Sequence, residues 1–306
     1  MDDYPRTLME FERRFATEKA CRAYLIQLRW PEGVRCHRCH SPSVWATRRG
    51  LYHCTFCGFQ TSVLTGTIFQ DTKVELRLWF RAMWYVTNQK SGVSALGLQR
   101  TLGLGSYRTA WTWLHKLRAA MVRPGRDRLA GAVEVDETYW GGPKPGRHGR
   151  GAAGKTLIVV AAQVDGRRIG RIRLRRVPDT STQSLARAVQ AAVEPGSVVR
   201  TDGLPSYRRL AARGYVHEVV RQEAAVGDNL LPRVNRVVAL LKRWLLGIHQ
   251  GRVSVAHLDA YLDEFTFRFN RRTSRWRGQL FYRLVQQAVA VEPAPRGARQ
   301  RQPAVA

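Results

Sequence analysis

The second half of the chain carries a fixed order of strand and helix patterns. Three β-branched runs begin near Ala130, Lys155 and Arg167, and they are followed by a helix, a strand, a short helix and a last strand. The second and third runs meet at Asp165-Gly166, a strong hairpin signal. Three strands, helix, strand, helix, strand is the order of the ribonuclease-H-like fold, so we predict an α/β domain with a mixed sheet flanked by helices.

Two aspartates close apolar runs within this pattern. Asp136 lies on the first strand, in GAVEVDETYWGG, and Asp202 ends the fourth, in SVVRTDGLPSY. Carboxylates that face each other from two rigid strands are how proteins hold the divalent ions that drive in-line displacement at phosphorus. The pair therefore predicts a two-metal site. A turn-capping role for both aspartates is the alternative.

The net charge of the chain indicates which kind of phosphate-containing molecule such a site would bind. The 306 residues include 51 Lys and Arg against 23 Asp and Glu, for a formal net charge of +28. A chain this basic suits a polyanion, and nucleic acid is the first candidate partner. The sequence has no apolar stretch of about 18 residues, as a membrane span would need, and its start is unlike a secretory signal. We expect a cytoplasmic, nucleoid-associated protein that does not bind membranes.

Two C-x-x-C pairs lie near the N-terminus, fourteen residues apart, slightly below the usual zinc-ribbon separation. Four thiolates around one Zn²⁺ make a closed structural site. A redox dithiol is the alternative, but two pairs at this separation do not favour it. The predicted zinc ligands are Cys36, Cys39, Cys54 and Cys57. Cys21 is expected to be a packed core thiol, and three histidines are left out of the ligand set: His37, His40 and His53.

Residues 73–122 follow helical periodicity, and Gly103 and Gly105 separate the last two helices. This is the layout of a helix-turn-helix, whose second helix, beginning near Ser106, would lie in the major groove. An ordinary helical bundle with a basic solvated face is the alternative. The residues expected to pack inward are Ala110, Trp113 and Leu117. The candidate DNA contacts are Tyr107, Arg108, Thr112 and Lys116.

These patterns divide the chain into five predicted parts. They are N-terminal helices at 1–30, a zinc ribbon at 31–70, a helix-turn-helix region at 71–127, a ribonuclease-H-like catalytic domain at 128–290 and a disordered tail at 291–306. The tail is rich in Pro, Ala, Gly, Arg and Gln, a composition that cannot form a core.

Residues 149–156, GRGAAGKT, match the phosphate-loop pattern, but their context argues against nucleotide binding. A phosphate loop follows a strand and opens a helix, whereas here a loop precedes the motif and a β-branched strand follows it. We interpret residues 141–155 as a flexible basic loop beside Asp136 that can contact DNA phosphates. Its basic residues are Lys144, Arg147, Arg150 and Lys155.

The helix after the last strand should supply a third metal ligand, but the chain has no acid between Asp228 and Asp259. It offers Asn235, 33 positions after Asp202, and Lys242 two turns later on nearly the same face. An Asn carbonyl can coordinate Mg²⁺ without charge, and a Lys can hold a phosphate. Asn235 as a helix-surface amide and Lys242 as a solvated charge are the alternatives.

Other acids lie near this set. Glu223 and Asp228 are reserve candidates for the third ligand, because their loop could approach the metals. Glu134 and Glu137 flank Asp136, and strand alternation is expected to direct both to the other face.

With these residues identified, the chain resembles the bacterial insertion-sequence transposases that have an N-terminal zinc ribbon and a DDE-type, ISXO2-like catalytic domain, in the branch whose third acid is Asn. The resemblance runs from about residue 10 to residue 285 and implies a catalytic set of Asp136, Asp202, Asn235 and Lys242. The matching blocks are CHRC and CTFC, TGTIF at 65–69, LGLGSYRTAWTWLHKLR at 102–118, VEVDETYWGG at 133–142, TDGLPSY at 201–207, LLKR at 240–243 and HLDAYLDEFTFRFNRR at 257–272.

The resemblance implies a DNA transposase that binds the terminal inverted repeats of its element. Two Mg²⁺ or Mn²⁺ ions, held by Asp136, Asp202 and Asn235, would support cleavage of the ends and their transfer to target DNA. The expected partner is double-stranded DNA, bound by a homodimer. Arginines near the C-terminus are expected to hold backbone phosphates: Arg271, Arg272, Arg275 and Arg277.

For the four arginines, a solvated basic face is the alternative. For the chain as a whole, two other functions stay open. The chain could be a catalytically silent DNA-binding regulator or decayed transposase, since Asn replaces the third acid. It could also be a ribonuclease-H-like nuclease that cleaves RNA hybrids, although that function leaves the ribbon and helix-turn-helix unexplained.

Overall fold

A computed structural model of the chain describes residues 3–123, 125–141, 155–220 and 229–292. Contacts separate the chain into a first unit, Met1–Pro124 with Thr273–Ala306, and a second unit, Gly125–Arg272. Within the described ranges, none of the helices has the length and apolarity needed to cross a membrane.

The helices and strands are numbered in chain order. The helices described are α1 Leu8–Arg14, α2 Glu18–Arg29, α3 Leu76–Asn88, α4 Ala95–Leu102, α5 Tyr107–Ala119, α6 Thr182–Ala192, α7 Pro232–Gly247, α8 Leu258–Asn270 and α9 Gly278–Ala288. The strands described are β1 Val44–Ala46, β2 Tyr52–Cys54, β3 Gln60–Thr61, β4 Ala132–Trp140, β5 Thr156–Asp165, β6 Arg168–Val177, β7 Val198–Thr201 and β8 Val216–Val219. Short 3-10 helices span Pro205–Arg213 and Val255–His257.

Aromatic side chains form much of the core of the first unit. Phe11 of α1 stacks on Trp84 of α3 at 4.7 Å between ring centroids, and it meets Phe281 of α9 edge-on at 5.4 Å. Each such pair adds about 0.5–1.5 kcal/mol beyond the area that it buries. Cys21 of α2 is fully buried, and burial raises the pKa of its thiol to about 12, so the prediction of a packed core thiol is confirmed.

A short turn joins α4 to α5. Gly103 ends α4 in the left-handed region at φ +64°, and Ser106 begins α5 by accepting a hydrogen bond from the Thr109 N–H at 3.1 Å. Trp113 of α5 stacks on Trp79 of α3 at 3.8 Å between ring centroids. The predicted inward face of α5 is confirmed, because all three residues named for it are buried: Ala110, Trp113 and Leu117.

A mixed sheet of five strands forms the centre of the second unit. The strand order is β6-β5-β4-β7-β8, in which β4, β5 and β6 are antiparallel and β4, β7 and β8 are parallel. Gly166, at φ +53°, and Arg167 form the turn between β5 and β6. This order confirms the predicted ribonuclease-H-like fold class.

Helices cover both faces of this sheet. On one face, α7 and α8 pack over a core that includes Trp140 of β4. On the other, α6 and the 3-10 helix Pro205–Arg213 pack over a core that includes Val133 and Val135. Because side chains alternate along a strand, Glu134 and Asp136 lie on the α7 side of β4.

The expectation that Glu134 points away from Asp136 is therefore wrong, since residues two apart on a strand share a face. The Glu134 side chain, only 2% exposed, reaches the first turn of α7. It accepts hydrogen bonds from the backbone N–H groups of Arg233 at 2.7 Å and Val234 at 3.0 Å, and from the Arg233 guanidinium at 3.0 Å. No side chain of its own caps α7, so Glu134 satisfies these N–H groups from the sheet.

We predict that Glu134→Ala destabilises the second unit by about 2–5 kcal/mol, because two helix N–H groups would lose a buried partner and the part-buried Arg233 guanidinium would keep only the Gly166 carbonyl. Glu218→Ala is the matched control. Glu218 pairs with Arg200 at 2.7 Å, but its side chain is 47% exposed, and such pairs contribute about 0–1 kcal/mol. Urea denaturation followed by circular dichroism measures both. Equal losses in the two variants would contradict the capping role.

Candidate functional site

The four paired cysteines converge on one point in the first unit. The antiparallel strands β1, β2 and β3 hold the second pair close to the first. All four Sγ atoms lie within 4.8 Å of one another, with Cys36 to Cys57 and Cys39 to Cys54 at 3.6 Å. Zinc–sulfur bonds of about 2.3 Å require sulfur–sulfur separations of about 3.8 Å in a tetrahedron. The cluster therefore fits one structural Zn²⁺.

The surroundings of this cluster support the same assignment. The Arg38 N–H donates to Cys36 Sγ at 3.4 Å, as expected for a sulfur that carries negative charge. In the part of the chain that the structure describes, these cysteines are the one group of three or more His, Cys, Asp or Glu side chains that could hold a metal together. The three neighbouring histidines do not join the group.

Asp136 lies on β4, and Asp202 directly follows β7, the parallel neighbour of β4. The register of β4 and β7 pairs Ala132 with Val198 and Glu134 with Arg200. Continued by two residues beyond its last recorded pair, this register would bring Asp136 opposite Asp202, which follows the end of β7. The strand order therefore puts a half-buried carboxylate on β4 and an exposed one at the end of the neighbouring strand.

Backbone hydrogen bonds orient both carboxylates. Oδ1 of Asp136 accepts from the Glu137 N–H at 2.8 Å, and Oδ1 of Asp202 accepts from the Leu204 N–H at 3.0 Å, as in an Asx turn. A carboxylate offers about four lone-pair sites. Capping a turn and binding a cation are therefore compatible roles for Asp202.

A buried tyrosine connects the two aspartate segments. Tyr207 follows Asp202 by five residues, is fully buried, and donates its hydroxyl hydrogen bond to Glu137 Oε2 at 3.0 Å. Burial, and then the charges of Glu137, Asp136 and Asp202, raise the pKa of Tyr207, which keeps the hydroxyl a donor. Glu137 thus lies on the face opposite to Asp136, as expected. The apolar spacing of Tyr207 and Leu210 indicates an inward side chain, but nothing in the sequence indicates its partner.

Asn235 lies in the first turn of α7, next to Val234, whose N–H donates a hydrogen bond to Glu134. Its side chain is exposed, and its Nδ2 donates to Asn229 Oδ1 at 2.6 Å. The helix Pro232–Gly247 contains no Asp or Glu, so it offers an amide and no carboxylate at this edge. The two reserve candidates lie outside the described residues: Glu223 and Asp228.

Lys242 is exposed and follows Asn235 by seven residues, almost two turns on the same side of α7. It lines a cavity of about 690 Å³ together with Lys155, which precedes β5. Thr156, the last residue of the phosphate-loop pattern, begins this strand and not a helix. The other basic residues predicted in the loop lie outside the described residues: Lys144, Arg147 and Arg150.

The DNA contacts predicted on α5 differ in exposure. Tyr107 and Arg108 are exposed at its N-terminal end. Thr112 and Lys116 are half-buried, and the Lys116 amine lies 5.8 Å from the centre of the Trp79 ring. Of these four positions, the two at the start of α5 are therefore the most accessible.

The four C-terminal arginines divide between the units. In the second unit, the Arg271 guanidinium lies 4.1 Å from the centre of the Phe267 ring, and that of Arg272 lies 4.0 Å from the centre of the Phe269 ring. Arg272 also donates to the Gly170 carbonyl at 3.3 Å. These two side chains thus pack against the fold. The first unit contains the other two: Arg275 and Arg277.

Comparisons with known proteins relate both the segment that contains the five-stranded sheet and the segment that contains the four cysteines to transposable elements. Residues 128–270 match the ISXO2-like transposase domain, and residues 16–60 match the transposase zinc-ribbon domain. A relative from Halobacterium salinarum (strain ATCC 700922 / JCM 11081 / NRC-1), described as an uncharacterized protein in transposable element ISH50, is 28% identical over 281 aligned residues, and the alignment covers 84% of this chain and 92% of the relative.

Among solved structures, the catalytic core domain of BIV integrase aligns with 13% identity and a TM-score of 0.31, over 48% of this chain and 86% of that chain. The fold assignment rests on the strand order and does not depend on this likeness. The cysteine cluster and the five-stranded sheet each lie within one of the two matched domains. The chain therefore contains an ISXO2-like transposase domain, preceded by a transposase zinc-ribbon domain.

Proposed function

We propose that this transposase binds the terminal inverted repeats of an insertion sequence and catalyses metal-dependent cleavage and transfer of DNA strands at Asp136 and Asp202. The observation that carries the proposal is the position of the two carboxylates, one on β4 and the other directly after its parallel neighbour β7. Divalent ions that act on phosphate are held by such paired carboxylates.

Asp136, Asp202 and the side-chain carbonyl of Asn235 would hold two Mg²⁺ or Mn²⁺ ions, because these hard cations favour oxygen ligands. Bound there, the ions supply the charge that stabilises in-line displacement at phosphorus. The chain itself fixes the geometry. Glu134 holds the first turn of α7, with Asn235, against β4, and Tyr207 holds the segment of Asp202 against Glu137. Ligands supported in this way keep their positions as DNA enters.

Basic groups would hold the DNA around this centre. Lys242 and Lys155, which line one cavity, would bind phosphates of the strand. Tyr107 and Arg108, exposed at the start of α5, would enter the major groove, and the zinc ribbon would add to end recognition. Since element ends are joined in pairs, we propose a homodimer on DNA, acting at the nucleoid.

A second candidate function is a catalytically silent DNA-binding regulator, which the absence of an acid on α7 favours. An assay on DNA that carries an element end, with Mg²⁺ or Mn²⁺, separates the two. Nicked and joined products support the transposase. Tight binding with no product in either metal supports the regulator.

We predict about one zinc ion per chain, because four thiolates within bonding reach make a closed tetrahedral site. Cys54→Ala should purify without zinc and lose binding to the element end. The control is Cys21→Ala, since Cys21 is buried away from the cluster and should leave the zinc content unchanged. Mass spectrometry for metals measures the content. Zinc retained by Cys54→Ala would contradict the four-thiolate site.

We predict that Asp136→Ala and Asp202→Ala each lower strand cleavage by at least about a hundredfold, since each removes charge stabilisation at the reacting phosphate, while DNA affinity measured without divalent ions is kept. Asp179→Ala is the control for Asp202. Asp179 is exposed and accepts a hydrogen bond from the Ser181 N–H at 2.9 Å, in the same turn geometry. A gel assay of nicked ends measures cleavage. If Asp202→Ala and Asp179→Ala cleave DNA equally well, the role of Asp202 is to cap the turn and not to bind the metal.

We predict that Asn235→Ala lowers cleavage and that Asn235→Asp lowers the Mg²⁺ concentration needed for half-maximal cleavage, because a carboxylate attracts the ion more strongly than an amide. Asn229→Ala is the control, since Asn229 is the hydrogen-bond partner of Asn235. Titration of Mg²⁺ in the cleavage assay measures both effects. If Asn229→Ala reproduces Asn235→Ala, Asn235 serves the loop and not the metal.

A further inference from the structure

The cavity beside β4 includes exposed apolar residues that the proposed catalytic role does not use. Its volume of about 690 Å³ falls in the range of small-molecule sites. Its walls are the segment Glu137 to Gly141, Lys155, and Lys242 with Leu246 of α7. The segment after α7 closes it with Gly251, Val253 and Val255. All of these residues belong to the second unit.

The cavity offers both charge and apolar surface. Lys155 and Lys242 contribute two amines, whereas Leu246 and Val255 contribute apolar side chains that are 59% and 46% exposed. Large apolar side chains left exposed around a cavity are typical of a binding surface. A matching ligand would carry an anionic group and a flat apolar part.

The acid nearest to the cavity does not offset the two amines. Glu137 is the one acid among the described lining residues, and its carboxylate accepts the Tyr207 hydrogen bond on the α6 side of the sheet. Lys242 lies on α7, which covers the opposite face. The charged side chains described on the cavity side are therefore positive.

The cavity lies along the same strand and the same helix as two of the proposed catalytic residues, Asp136 and Asn235. Thr138, in its wall, follows Asp136 by two residues on the same face of β4, a step of about 6.6 Å. Lys242 follows Asn235 on one side of α7, about 10.5 Å along the helix. A DNA strand with its reacting phosphate at Asp136 would therefore have its next nucleotide near the cavity.

We propose that this cavity receives one unstacked nucleotide of the DNA strand, adjacent to the cleaved phosphate. Its phosphate lies at Lys155 and Lys242, and its base lies against Leu246 and Val255. A base in a duplex cannot enter a cavity walled by a strand and a helix, so this base leaves the stack, as in enzymes that extrude a nucleotide. The inference rests on the proposed function and adds to it the form of the substrate at the site.

The test uses 2-aminopurine, whose fluorescence rises when the base unstacks. The probe is a duplex copied from the DNA that flanks the gene, with 2-aminopurine placed in turn at each position around the cleaved phosphate. The full chain is added with Ca²⁺ in place of Mg²⁺, so that DNA is bound without being cut. The emission should rise at one position and stay at the value of the free duplex elsewhere.

The double variant Leu246→Ala with Val255→Ala should lose this rise and bind the probe about tenfold more weakly, equivalent to about 1.4 kcal/mol. Val216→Ala is the matched control, because Val216 is 54% exposed on β8 of the same unit. A probe with an abasic residue at the responding position should bind the wild type and the double variant equally. Circular dichroism checks that the variants fold.

The outcomes separate this inference from the proposed function. If the chain binds and cleaves the end but no position responds, the cavity proposal is overturned and the proposed function stands. An equal loss in Val216→Ala, or an abasic probe that still distinguishes the double variant, also overturns the cavity proposal. If the chain neither binds nor cleaves the end, both fail.

Discussion

The contact between the Glu134 carboxylate and the first turn of α7 fixes the functional edge of the second unit. Without it, the N–H groups of Arg233 and Val234 would lie against the sheet with no cap, since α7 has none of its own. The negative charge also lies at the positive end of the helix dipole. Because Glu134 shares a face of β4 with Asp136, this contact determines how far the first turn of α7 lies from that carboxylate.

A second buried contact begins at the same strand but lies on the opposite face of the sheet. Glu137 holds Tyr207 on the α6 side, and Tyr207 fixes the segment that begins at Asp202. Hydrogen bonds away from water are electrostatically stronger, and their loss leaves groups that water cannot reach. Residues 134–137 of β4, EVDE, thus have different roles. Two glutamates anchor neighbouring elements inside the fold, and Asp136 between them stays accessible.

Local patterns in the sequence were sufficient to predict the fold class and the cysteine cluster. The β-branched runs and Asp165-Gly166 follow from short-range preferences, and C-x-x-C spacing limits a metal site directly. The contacts of Glu134 were not predictable in this way, because its partner Arg233 lies 99 residues along the chain. The packing of Arg271 and Arg272 on phenyl rings was missed for a related reason. Charge indicates phosphate binding in a sequence, whereas only the fold shows that the guanidinium groups also cover aromatic side chains.

Under the proposed assignment, an amide as the third ligand changes how metal and DNA depend on each other. Asp136 and Asp202 would bring two negative charges to two divalent cations, and the chain as a whole is strongly positive. The metal ions would therefore be held weakly in the absence of DNA, since Coulomb attraction falls with each carboxylate removed. The phosphates of the bound strand supply the missing negative charge, and the lysines of the cavity attract the same strand. Metal and DNA binding would then reinforce each other, and the centre would be complete only on its substrate.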